Sequence, residues 1–161
     1  MPTTVSPAAL EHLKHFEQGP HGGFAAEPYR CPAGQLTVGW GHVVLPNDRF
    51  TYPLSEERAE TLLQHDLEGC VQQVNLWVIV PLTQGMLDAL ACFIFNIGVA
   101  SFSGSTLLYL LNQRNYAAAA EEFPRWNRAR DPRSGKKVPL PGLTRRRLAE
   151  RELFLKDGGV M

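Results

Sequence analysis

The sequence predicts an α+β protein, mainly α, in which a small β-containing lobe and a larger helical lobe are joined by one long helix, with a cleft between them. Three observations carry this reading. Residues 55–79 repeat apolar side chains at helical spacing. Just before them, residues 36–52 have strand character: "LTVGWGHVVL", a turn at "PNDR", then "FTY". Beyond Pro81 the segments are helical in pattern, apart from a polar loop "DPRSGKKVP". A chain of 161 residues is enough for one domain with a real core. The expected division is a small lobe over about residues 17–54, a connecting helix over about 55–79, and a helical lobe over about 81–161 that also takes in the first helix.

The elements follow in chain order. "SPAALEHLKHFE" opens with Ser6 as an N-cap and Pro7 in the first turn, and Leu10, Leu13 and Phe16 form its apolar stripe. Gly19, Pro20, Gly22 and Gly23 break it just after Glu17. The long helix starts at Ser55, with Glu56 and Glu57 suited to its first turn. Its stripe is Ala59, Leu62, Leu63, Asp66, Leu67, Cys70, Val71 and Val74. "TQGMLDALACFIFNIG" is apolar nearly all round, as a buried central helix should be, and Gly98 is its stop. "SGSTLLYLLNQRN" and "YAAAAEEFPRW" follow as short helices, and "PGLTRRRLAERELFLK" as the last one.

Composition narrows the function classes. No apolar run reaches the roughly 18 residues of a membrane span. The N-terminus has neither the basic start nor the apolar block of a secretion signal. A soluble cytosolic product without stable membrane insertion is expected. The zero net charge hides an asymmetry: residues 1–124 hold 5 basic and 12 acidic side chains, residues 125–161 hold 11 basic and 4 acidic. A basic C-terminal segment suits an anionic partner, and the blander reading is a solvated face. No nucleic-acid-binding motif is present. The three cysteines do not have zinc-site spacing, and Cys70 and Cys92 sit in helical patterns as small core residues.

Several residues are out of place in a purely structural reading. Glu17 falls at the C-terminal end of the first helix, the negative pole, where a carboxylate is disfavoured. That position, with partial burial, favours a protonated carboxyl suited to general acid work. A plain surface glutamate is the alternative. Asp66 interrupts an apolar stripe and needs a partner, for which His42 is the candidate; otherwise it reaches water at the stripe's edge. Arg146, Arg147 and Glu150 share a face with Leu143, Leu153 and Phe154, so at least one arginine should pack inward and pair with Glu150 or another acid, in a structural role. His12 and His15, three apart, lack a third ligand, so a solvated helix face is expected rather than a metal site. Gly39 and Gly41 lack a dinucleotide motif's third glycine and following helix. They suit a bulge or a close backbone approach, for which a bulky ligand such as a sugar chain is one reason. Trp40 between them is expected to pack the small lobe.

These residues carry a family resemblance. Glu17, Tyr29 and "GQLTVGWGH", then "ALACFIFNIGVASFSGSTLLYLLNQRNYAAAAEEFPRW", then "GLTRRRLAERELF" form three ordered blocks covering nearly the whole chain. Together they resemble the bacteriophage and prophage lysozymes, or endolysins, of glycoside hydrolase family 24. The resemblance implies a lysozyme-like fold and hydrolysis of the β-1,4 bond between N-acetylmuramic acid and N-acetylglucosamine in peptidoglycan, lysing the host cell. By motif position, Glu17 resembles the proton donor and Thr37 the hydroxyl near the water. Position 31, where many members carry aspartate, holds Cys31, in a "Y-x-C-P-A-G" form similar to a recurrent prophage variant. His42, Asp66, Tyr29 and Asn96 are expected to bind substrate or support these groups. The segment between Glu17 and Tyr29 is longer than usual for the family and makes Glu27 a rival acid. Glu27 precedes Pro28 in an extended turn, a poor setting for a desolvated acid. No cofactor or metal is implied. The expected partner is the peptidoglycan glycan strand, and a monomer is expected. Release from the host cytoplasm to the wall would pass through a pore such as a holin. A non-catalytic wall-binding or phage structural module with the same fold is the competing reading, favoured by Cys31 and opposed by Glu17 and Thr37.

Overall fold

A computed structural model describes residues 2–158; residues 1 and 159–161 of the expected single domain lie outside the described part. The order begins with helix α1 (Pro7–Phe16), then strands β1 (Ala25–Arg30), β2 (Leu36–Gly39) and β3 (His42–Val43), and the long helix α2 (Glu56–Trp77). Helices α3 (Gln84–Ile97), α4 (Val99–Ser103), α5 (Thr106–Asn112) and α6 (Tyr116–Ala120) follow, with a 3-10 turn at Phe123–Arg125. A second hairpin, β4 (Arg128–Arg130) and β5 (Lys137–Pro139), leads into α7 (Pro141–Leu155).

Helix α3 is the centre of the core. It packs against α7, α2 and α1, and Met86, Leu87, Leu90, Ala91 and Phe93 on it are buried. Thr83 caps its start by accepting the Met86 amide at 3.1 Å. Gly98 closes it at φ +86. Phe93, Phe123 and Phe154 meet edge to face, with ring centres 5.1 and 5.5 Å apart. On α2 the residues Ala59, Leu62, Leu63, Leu67, Val71 and Val74 face the core, as the stripe predicts, and Ser55 caps it through the Arg58 amide. Ser6 is the N-cap of α1, as expected, but its side chain makes no cap bond; its amide donates to Asp88 Oδ1 at 2.8 Å and its hydroxyl to Asp88 Oδ2, tying the chain's start to α3.

The β structure differs from the sequence expectation in three places. The first sheet has the order β1-β2-β3 and begins at Ala25. The expected strand at "FTY" is absent, because residues 50–52 pair with no strand. Segment 25–30 becomes a strand through its antiparallel pairing to β2, with an irregularity between Ala25 and Tyr29. Pro28 sits there on an edge strand, where a missing N–H is tolerated. The segment read as a polar loop at 131–139 is the turn and second strand of the β4–β5 hairpin.

Candidate active site

Glu17 is the C-cap of α1, where Gly19 and Pro20 end the helix; its amide still bonds to the Leu13 carbonyl at 2.7 Å. Two distant segments fix its side chain. From α7, Arg146 Nη1 donates to Glu17 Oε1 at 2.7 Å. From the β2–β3 turn, Gly41 lies flat against the carboxyl: a β-carbon there would sit 2.5 Å from Oε2 and 2.9 Å from Cδ. Gly41 also has φ +71, a backbone state suited to glycine. The close backbone approach expected of this glycine pair is made to the protein's own side chains. Gly41 makes room for Glu17, and Gly39 lies against Leu54 and Ala59 of the protein's own core.

Behind Arg146 is a buried charge cluster. Glu150 is fully buried; Arg146 Nε and Arg147 Nη2 donate to its Oε2 at 3.4 and 3.3 Å. His12 Nε2 lies 2.9 Å from the same oxygen. His12 is buried, which overturns the expected solvated face; His15, three residues on, is the exposed one. Arg146 also stacks over Phe16, and Arg147 over Phe93. Burial pulls the Arg147 guanidinium down to about 10, against the pull of Glu150. Both arginines pack inward on Glu150, as expected of a structural pair; Arg147 is the inner one, and Arg146 also reaches Glu17, with Glu150 and His12 behind it.

The second set comes from the β1–β2 hairpin. Its turn closes with the Cys31 amide donating to Gln35 O at 2.9 Å and the Gly34 amide to Cys31 O at 2.8 Å. Thr37 pairs with Tyr29 and Val43 in the sheet and is buried, its hydroxyl donating to Gln35 O at 3.0 Å. For the Cys31 thiol, desolvation pushes upward, but hydrogen bonds from the Gln35, Ala33 and Gly34 backbone and the Thr37 hydroxyl together bring it below the ordinary value. Tyr29 ties the two sets together: burial, then the negative charges of Glu17 and Cys31, raise its phenol. Glu27, the rival acid, is exposed on β1.

His42 sits beneath the turn. Its Nδ1 lies 2.8 Å from Asp66 Oδ2, and its Nε2 lies 2.9 Å from Asp48 Oδ2. Asp66 is part-buried at the edge of the α2 stripe. Hydrogen bonding to Asp66, resisted by burial and helped by Asp48, raises the imidazole. Asp48 is a partner the sequence did not single out; the Leu45 amide and His42 hold its carboxyl below the usual range. Trp40 is buried and packs on Phe24, with Lys14 over its ring. Asn96 is exposed on the last turn of α3 and is not among the groups that touch Glu17 or Cys31 in the contacts described above.

A helix-dominated α+β fold with a carboxyl clamped between a helix end and a glycine turn defines a lysozyme-like protein. Residues 19–150 match the family described as phage lysozyme, and the chain belongs to that family. It is 38% identical over 150 residues to an endolysin of Acyrthosiphon pisum secondary endosymbiont phage 1, covering 93% of this chain and 97% of that one. Among solved structures, the muramidase domain of SpmX from Asticaccaulis excentricus aligns with a TM-score of 0.82 and 34% identity, over 96% of this chain and 99% of that one. An endolysin from Escherichia coli O157:H7 phage FAHEc1 aligns with a TM-score of 0.82 and 32% identity, over 96% and 94% of the two chains. Among the described residues, no helix is long and apolar enough to cross a membrane, and no group of metal-binding side chains could hold an ion.

Proposed function

We propose that this chain is a muramidase of the endolysin type, hydrolysing the β-1,4 bond between N-acetylmuramic acid and N-acetylglucosamine. The observation that carries it is Glu17 held against Gly41 by Arg146 at 2.7 Å. Glu17 is the general acid, protonating the glycosidic oxygen. As the proton leaves, the adjacent guanidinium meets the charge that develops on the carboxylate. Cys31 and Thr37 position a water on the opposite face of the sugar, and the lowered thiol gives Cys31 partial thiolate character to accept its proton. The reaction then inverts, and the first product is the α anomer. His42 braces the β2–β3 turn through Asp66 and Asp48, and Tyr29 lies between acid and thiol. Asn96 is assigned to substrate contact by family position alone. The enzyme acts as a monomer on the wall once a membrane pore such as a holin releases it from the host cytoplasm.

The lowered Cys31 thiol also favours a second course, in which its sulfur attacks the anomeric carbon, a covalent intermediate forms and configuration is retained. Glu17→Gln tests the main reading: lysis of purified walls should vanish while the melting temperature holds. Normal clearing by that variant would refute the acid. Initial release of the β anomer would refute inversion.

A further inference from the structure

The helical lobe carries an exposed apolar patch that shares no residue with the contacts of Glu17, Cys31 or His42. Leu76 and Ile79 are 69% and 79% exposed, Tyr109 64% and Trp77 40%. Asn112 of α5 joins them into one surface. Its Oδ1 accepts the Ile79 amide at 3.0 Å, and its Nδ2 donates to the Trp77 carbonyl at 3.0 Å. Tyr109 stands one turn before Asn112 on the same helix face. Trp77 Nε1 donates to Gln73 Oε1 at 3.3 Å, which holds the indole at the end of α2. Among the described residues, neither the Trp77 nor the Tyr109 ring meets another aromatic ring or a cation.

The surroundings of the patch are uncharged. From Gly69 to Gln113 the chain has a single charged side chain, Asp88, which is buried and bonded to Ser6 and Gln84. The first charges beyond that span are Glu68 and Arg114, one of each sign. Amides take the place of charges. Gln72 lies one turn from Leu76 and Gln113 one turn from Tyr109, and both are exposed. An amide offers an acceptor oxygen and two N–H donors without carrying charge.

Area and charge separate the possible occupants. Four exposed side chains present a few hundred Å², short of the roughly 800 Å² per partner that a stable protein interface buries. An anionic membrane surface draws clusters of lysine and arginine, and this surface has only Arg114 at its edge. An uncharged sugar chain fits both limits. A pyranose ring has an apolar C–H face that an aromatic ring covers, and a rim of hydroxyl and N-acetyl groups that amides bond.

We propose that the Trp77–Tyr109 surface is a second glycan-binding site, which holds an uncharged stretch of N-acetylhexosamine chain outside the catalytic site. The two rings cover sugar faces, Leu76 and Ile79 take the N-acetyl methyl groups, and Gln72 and Gln113 bond the polar rim. This goes beyond the muramidase reading. A second hold on the wall polymer raises the local concentration of glycan at Glu17 and keeps the protein on the wall between cuts.

The test is the double variant Tyr109→Ser, Ile79→Ser. Both side chains are mostly solvated, so the melting temperature should hold within about 2 °C. In a nuclear magnetic resonance titration, the N-acetylglucosamine tetramer should shift the Trp77 indole N–H signal of the wild type and leave that of the variant in place. In the Glu17→Gln background, the double variant should lose about tenfold in co-sedimentation with purified walls. The loss should be the same at about 1 M salt, because no charge pair is broken. Equal retention on walls, or an unmoved Trp77 signal in the wild type, would overturn the proposal. Two other results would do so by naming a different occupant. One is a dimer in sedimentation equilibrium that the variant abolishes. The other is Tyr109-dependent binding to phosphatidylglycerol vesicles with no tetramer response. If the wild type released no new reducing ends from walls while Tyr109-dependent retention persisted, the muramidase reading would fail and the second site would stand.

Discussion

Gly41→Ala separates the two reasons for a glycine beside the acid. The first is backbone strain: alanine at φ +71 costs about 1–2 kcal/mol. For a chain of this size that lowers the melting temperature by about 2–8 °C. The second is collision. The new methyl would stand 2.5 Å from Glu17 Oε2, 2.9 Å from Cδ and 3.2 Å from Cβ, where ordinary contact begins at 3.4 Å. The far oxygen could swing aside, but Glu17 Cβ is fixed by the end of α1, so the carboxyl as a whole must retreat by about 1 Å and lose its 2.7 Å bond to Arg146. Misplacement of that size costs on the order of 100-fold in rate. The assay is reducing-end release from purified walls, with kcat and KM separated, beside a thermal melt. Gly135→Ala is the control: it has the same φ of +71 but nothing within 4 Å of the added carbon. It should lose similar stability and keep its kcat. If Gly41→Ala retains a kcat within about twofold of Gly135→Ala, Gly41 does not seat the acid and the reasoning fails.

Three further outcomes are expected. His42 is raised above its ordinary 6.5 in the folded protein, so its contribution is complete below that value and is lost as pH rises through the folded one. The melting temperature should therefore fall on the alkaline side in the wild type, and His42→Gln should flatten that limb; an unchanged slope would remove His42 as its source. On brief alkylation of the folded protein Cys31 should react first, because burial pushes the Cys70 thiol up to about 12 and raises Cys92 as well. Mass spectrometry should find one adduct, on Cys31, in a protein with strongly impaired lysis, and full lysis by that adduct would take Cys31 out of the site. Glu150→Gln leaves Arg147 buried without its anion and Arg146 with Glu17 alone, and should cost about 3–5 kcal/mol in a denaturant titration.

What the sequence disclosed depended on how local the cause was. Helices α2 and α3 were legible because period, cap and stop lie within a few residues of one another, from Ser55 to Val74 and from Thr83 to Gly98. Strand β1 was not, since Pro28 and a lack of alternation hide it and only pairing with β2 makes it a strand. The basic hairpin hid for a similar reason, with Ala129 and Val138 as its only half-buried pair. Glu17 stood out as a carboxylate at the wrong helix end. Arg146 stood out as a charge on an apolar face, but its partner lies 129 residues away, and no spacing rule reaches that far. His12 had a local clue that went unused: it sits next to Leu13 and three residues after Ala9, on the buried face of α1.

The long reach of these contacts says something about where the acid stands. Glu17 ends a helix that packs on α3, its upper contact is a turn of the small sheet, and its charged contact is on the last helix. Lys14, one turn earlier on α1, pairs with Glu60 on α2 and covers Trp40 of the same sheet turn. The carboxyl is thus at the seam between the sheet and the helical layer, bonded by Arg146 on one side and given room by Gly41 on the other. A shift of the sheet against the helices would move Gly41 relative to Arg146 and drag the carboxyl with one or the other. Buried charge keeps the helical side from yielding: Arg146 cannot follow the sheet without leaving Glu150, and Glu150 cannot turn without breaking from His12 and Arg147. Replacing the cluster with apolar side chains could leave the fold as stable or more so. It would also free the arginine that holds the Glu17 carboxyl. The four buried ionisable groups are therefore better explained by the placement of that carboxyl than by the stability of α7.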